Sequence, residues 1–77
     1  MLVKDTIHHG DYYNERVVEL SPVYVRFVEF LNSGPYGAGD GVKTTNKYAY
    51  AAFTKLIDTG KSDFGWRRFE IIRRGSL

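Results

Sequence analysis

The sequence predicts a small α+β domain: an N-terminal β-hairpin, two helices around a Gly-rich loop, and a C-terminal strand that completes an antiparallel sheet. Three observations lead there. The 77 residues hold one core spanning residues 1–77 and no second domain, because a chain this short buries only about 60% of the surface it exposes when unfolded. Hydrophobic residues make up 43% and charged residues 26%, enough apolar surface to offset ordering entropy. Turn-forming Gly, Asn, Asp and Pro divide apolar stretches of strand spacing from stretches of helical spacing.

Residues 2–9 alternate loosely and suit a short strand. Gly10 to Asn14 supplies turn chemistry, and 16–20 reads as the second strand of a hairpin. Ser21 and Pro22 then form a helix start, Ser as N-cap and Pro at the first helical position. Val23, Tyr24, Phe27, Val28, Phe30 and Leu31 share one side of a helical wheel, with Arg26 and Glu29 opposite. The same stretch is dense in β-branched and aromatic residues. Read as a strand, it would turn the fold into a mostly β, barrel-like meander. The punctuation favours the helix.

Residues 34–41 hold four Gly and Pro35 and read as a loop. Thr44, Thr45 or Asn46 can cap a second helix, on which Ala49, Ala52, Phe53, Leu56 and Ile57 recur at helical spacing before Gly60. Residues 61–65 are expected to be a connection and 66–74 a closing strand, although neither a period of 2 nor one of 3.6 sorts its apolar residues. There is no Cys, which excludes disulfide scaffolds, thiolate zinc sites and cysteine nucleophiles. No apolar run approaches the roughly 20 residues of a membrane span. The N-terminus lacks the apolar stretch of a secretory signal. A cytoplasmic protein without membrane contact is expected.

Charge is unevenly placed. Residues 1–42 carry three basic against six acidic groups, net −3, and residues 43–77 carry eight against three, net +5. Either the halves neutralise each other or the basic one docks on an anionic surface. The most distinctive stretch is 66–74, where Trp66 and Phe69 are interleaved with Arg67, Arg68, Arg73 and Arg74. Arg and Trp anchor protein interfaces, and the same pair suits stacking on single-stranded nucleic acid. The plain alternative is a strand with Trp66, Phe69 and Ile72 in the core and solvated arginines. Tyr12, Tyr13 and Tyr36 fall in expected loops, where tyrosine offers large contact area for little rotamer entropy. Tyr48 and Tyr50 start the second helix and can cover the core.

Other chemistry is thin. Gly37 to Thr44 has Gly, Lys and Thr before a helix, but Val42 separates Gly41 from Lys43, and a phosphate loop needs Gly, Lys and Ser or Thr contiguous. Only a single anion held at the start of the second helix survives as a looser reading. His8 and His9, near Asp5 and Asp11, point to opposite faces if they lie on a strand, and no further His or Cys completes a metal shell. No serine is spaced for a triad with either histidine. No catalytic residue, metal or cofactor is expected.

Val23-Tyr24-Val25-Arg26-Phe27, followed by a Gly-rich loop and Gly41-Val42-Lys43-Thr44-Thr45-Asn46, resembles the middle of the small SH3-like stromal subunit of photosystem I. The resemblance implies a strand at 23–31. The family's first strand is missing here and the end of the chain departs, so no residue role is carried across.

The function expected is that of a non-catalytic binding protein that inhibits or modulates a larger complex by occupying its surface. Its size, tyrosine content and lack of a catalytic motif match the type of phage-encoded inhibitors of host defence, anti-CRISPR proteins among them, which would place it in the host cytoplasm. The expected partner is a protein or ribonucleoprotein with an acidic surface, met by the four arginines with Trp66, Tyr12, Tyr13 and Tyr36 as anchors. A nucleic-acid-binding module using the same segment is the alternative, and a homodimer is a further candidate.

Overall fold

The computed structural model describes residues 1–32 and 46–75. Six elements follow in chain order: β1 Leu2–His9, β2 Tyr12–Glu19, α1 Tyr24–Leu31, α2 Asn46–Thr59, β3 Lys61–Phe64 and β4 Arg67–Arg73. The strands form one antiparallel sheet in the order β2-β1-β4-β3, so β4 completes the hairpin sheet by pairing with β1. The α+β expectation holds. Residues 61–65, expected as a connection, instead contain β3, which pairs with β4 from Lys61↔Glu70 to Phe64↔Arg67.

Both hairpins close on two-residue turns that begin with glycine. Gly10 and Gly65 have φ of 61° each, and among the described residues no non-glycine has positive φ. Positive φ confined to the first central residue is the type II′ pattern, whose twist matches that of the strands it joins. The tightness of the first turn corrects an expectation. Tyr12, Tyr13 and Asn14 are not loop residues but the first residues of β2, paired with His9, His8 and Ile7.

Segment 24–31 is a helix, so both the meander and the strand implied by the photosystem resemblance fail. Its start differs from expectation: Val23 is the N-cap residue, with extended backbone and no side-chain cap, instead of Ser21. Phe27, Phe30 and Leu31 are buried, and Tyr24 and Val28 pack beside them. On α2 the buried residues are Ala49, Ala52 and Leu56, with Phe53 and Ile57 against the core. Both helices cover one face of the sheet, where they meet Val3 and Phe69. Aromatic rings join the layers: Phe69 lies 5.5 Å from Phe27 and 5.6 Å from Phe30, and Phe27 lies 5.6 Å from Phe53. Such pairs add roughly 0.5–1.5 kcal/mol each beyond area burial. The other face of the sheet is uncovered by any described element.

The alternation of β4 explains why its sequence resisted a period. Arg67, Phe69 and Ile71 turn toward the helices, and Arg68 and Glu70 turn away. The register with β1 then slips, with Leu2 opposite Arg73 but Val3 opposite Ile71, leaving Ile72 as the extra residue of a bulge. An inward arginine and a bulge in seven residues erase the apolar alternation. Among the described residues no helix is long and apolar enough to cross a membrane.

Candidate functional site

The four arginines of 66–74 do not form one surface. Arg67 is 2% exposed and enters the core on the helix-covered face. Its Nη2 donates to Asp5 Oδ2 at 2.9 Å, its Nε donates to Asp5 Oδ1 at 3.3 Å, and its Nη1 donates to the Leu31 carbonyl at 3.3 Å. The guanidinium carbon also lies 5.2 Å from the Phe30 ring centre and 5.3 Å from that of Phe69. Burial of an arginine is tolerated because a carboxylate, a carbonyl and two ring faces replace its water. Asp5 is itself 1% exposed and accepts a third bond, from Arg16 Nε at 3.0 Å. Arg67 is therefore a structural residue and leaves the expected partner-binding set. Asp5, its partner, carried no signal in the sequence beyond being an acid at an inward strand position.

Arg73 and Arg74 are exposed at the C-terminal end of β4. Arg68 is at the other end, about 17 Å away at strand rise. Tyr36 lies outside the described residues, as does the Gly-rich stretch weighed as a phosphate loop.

What the fold does bring together is the other end of the open sheet face. The β1–β2 turn and the β3–β4 turn lie at the same end, since His8 N–H donates to the Trp66 carbonyl at 3.0 Å. Tyr13 stands opposite His8 with ring centres 5.9 Å apart, and Trp66 lies 5.0 Å from His9. Tyr13 is 61% exposed. Tyr12, exposed at the start of β2 and paired with His9, points to the opposite, helix side of the sheet. Arg68 emerges from the neighbouring strand, opposite Thr6. A shallow concavity of about 610 Å³ runs across this face, with His8, Tyr13, Trp66 and Arg68 at one side and Lys4 and Glu70 at the other. His8 belongs to this open-face cluster, whereas His9 alternates to the helix side of the sheet, where it meets the Trp66 ring.

The charges of the face cancel. Lys4 and Lys61 lie 3.7 and 3.5 Å from the Glu70 carboxylate, and Arg68 Nε donates to Asp63 at 2.8 Å. The Asp63 hydrogen bond and charge hold the Arg68 guanidinium pKa above its ordinary value. Tyr13 Oη donates to Glu15 at 2.8 Å, and that bond raises the phenol pKa above its usual 10.0. Lys4, Lys61 and Arg68 thus meet Asp63 and Glu70, and Glu15, bonded to Tyr13, adds a third carboxylate to the same face. No group of three or more His, Asp or Glu side chains among the described residues is placed to hold a metal ion.

Comparison with known proteins adds no relative: no family model, no curated protein and no solved structure matches the chain.

Proposed function

We propose that this chain is a non-catalytic binding protein that docks on a protein surface through the end of its open sheet face, with Tyr13, His8, Trp66 and Arg68 as the contact residues. The observation that carries this reading is the exposed aromatic cluster set among charges that are already balanced within the chain. Aromatic residues and arginine supply most of the energy at protein interfaces. A polyanion needs a surplus of cations along its track, and this face offers as many carboxylates as cations. The acidic partner surface expected from four arginines gives way to a mixed polar and apolar one. Covering a partner's surface blocks what that surface otherwise does, so the effect is inhibition or modulation of a larger assembly, as in phage inhibitors of the anti-CRISPR type.

Fluorescence anisotropy with random single- and double-stranded oligonucleotides at about 50 and 200 mM salt tests the reading against its rival. Contacts to several phosphates lose orders of magnitude in affinity over that range. The protein-docking reading expects no such binding at either salt. Tight binding that falls steeply with salt and disappears in a Tyr13→Ser, Trp66→Ser, Arg68→Ser variant would replace it with the nucleic-acid module.

A further inference from the structure

The outer edge of the sheet carries an inference separate from the open face. β2 is an edge strand of eight residues, and all but Val18 are exposed. It contains no Pro, and its pairing with β1 runs without a register shift. Such an edge is a template for another strand unless it is blunted. The opposite edge, β3, offers only four residues.

The direction of the free backbone groups follows from β1. The His8 N–H points toward β4, where it meets the Trp66 carbonyl. In an antiparallel ladder the hydrogen-bonding direction alternates along the strand. Ile7, Asp5 and Val3 therefore bond to β2, and the residues opposite His8, Thr6, Lys4 and Leu2 turn their own groups outward. Those residues are Tyr13, Glu15, Val17 and Glu19. An added antiparallel strand must pair with these four. A second copy of β2 can do so only if odd-numbered residues face odd-numbered residues, which places a two-fold axis perpendicular to the sheet.

Charge then selects the register. Centring the axis on Glu15 or Arg16 sets two like charges directly opposite each other, and centring it on Val17 opposes Glu15 to Glu19 twice. Like charges in directly opposite positions destabilise a strand pair. Centring on Asn14 aligns residues 12–16 without such a conflict. Each Tyr13 then faces Glu15 of the other copy on the open side, and each Tyr12 faces Arg16 on the helix side. Within one chain the Tyr13 hydroxyl already donates to Glu15, so the across-axis pair repeats an interaction this strand makes. It is the only register aligning five or more β2 residues that opposes no like charges.

We infer that β2 pairs antiparallel with β2 of a second copy of this chain about Asn14, joining two four-stranded sheets into one of eight strands with all four helices on the same face. The test uses sedimentation equilibrium of the chain alone, so its result is independent of the partner-docking reading. The wild-type protein dimerises with increasing concentration. Glu15→Pro removes an outward N–H that no internal bond uses, leaves the β1–β2 ladder intact, and raises the dimer dissociation constant about tenfold or more. The chain has no cysteine, so Asn14→Cys supplies a second readout that needs no destabilising change. On the axis its Cα atoms fall within disulfide reach, and mild oxidation gives a covalent dimer, whereas Val17→Cys does not. A wild-type chain that stays monomeric at millimolar concentration, or a dimer that Val17→Cys traps and Asn14→Cys does not, overturns the inference.

Discussion

Arg67→Met probes the buried ion pair that the core is built around. The substitution keeps most of the side-chain volume and removes the charge, leaving Asp5, 1% exposed, with Arg16 as its remaining cation. The Arg16 side chain is 45% exposed and makes one bond to the carboxylate, so it cannot replace the two bonds lost. Breaking a buried pair by removing one partner costs about 3–5 kcal/mol, because the other charge stays buried. At roughly 0.05–0.15 kcal/mol per residue, the whole domain has a stability of about 4–12 kcal/mol, so the variant loses about a quarter of it or more. Asp5→Leu has a comparable cost, since it strips the carboxylate from Arg67. The double variant Asp5→Leu, Arg67→Met removes both charges together and returns to within about 1–2 kcal/mol of wild type, as apolar replacements of buried pairs do. Urea denaturation followed by far-UV circular dichroism measures all four proteins. The expected coupling between the two sites is at least about 2 kcal/mol, with little change between low and high salt because the pair is shielded from solvent ions. An Arg67→Met variant within about 1 kcal/mol of wild type, or a double variant equal to the sum of the singles, refutes the assignment of Arg67 to the core.

Three smaller predictions follow from single residues. Gly65→Ala forces a side chain into φ of 61° where a Cβ meets nothing within 4 Å, so its cost is the backbone term alone, about 1–2 kcal/mol by denaturation. Ser62 is buried and its hydroxyl has no hydrogen-bond partner among the described residues; Ser62→Ala leaves stability unchanged or raises it by up to about 1 kcal/mol, and a loss shows that the hydroxyl is satisfied in solution. The Tyr13 phenol ionises above 10.0 because it donates to Glu15. Glu15→Ala therefore brings its titration, followed by tyrosinate absorbance, down toward the ordinary value, and an unmoved titration removes that hydrogen bond.

The helices and the N-terminal hairpin of this fold are legible in the sequence because their signals are local. The α2 face from Ala49 to Ile57 follows the helical period, and Gly10 marks the first turn. The helical wheel of 24–31 outweighed its strand-like composition, since burying Phe27, Phe30 and Leu31 together requires that spacing. β3 was missed because Lys61-Ser62-Asp63-Phe64 has little strand propensity, and its place is set by pairing with β4. The arginine stretch misled for a tertiary reason. Strand alternation alone sends Arg67 and Arg68 to opposite faces, but only Asp5, 62 positions away in sequence, makes the inward one affordable. The aromatic end of the open face was half visible. Trp66, Tyr13 and Arg68 stand out in composition, while their meeting with His8 depends on two turns at the same end of the sheet, and strand alternation turns Tyr12 and His9 to the other face.

The central claim is that this aromatic end, and not the arginines at the far end of β4, holds the partner. Quantitative affinity capture from lysate of the expressing cells tests it with three baits: wild type, the Tyr13→Ser, Trp66→Ser, Arg68→Ser variant, and an Arg73→Ser, Arg74→Ser control, each first shown to fold by circular dichroism. The account predicts a protein retained by wild type and by the control and lost from the triple variant. A partner that stays with the triple variant, or that is lost from the control, contradicts it.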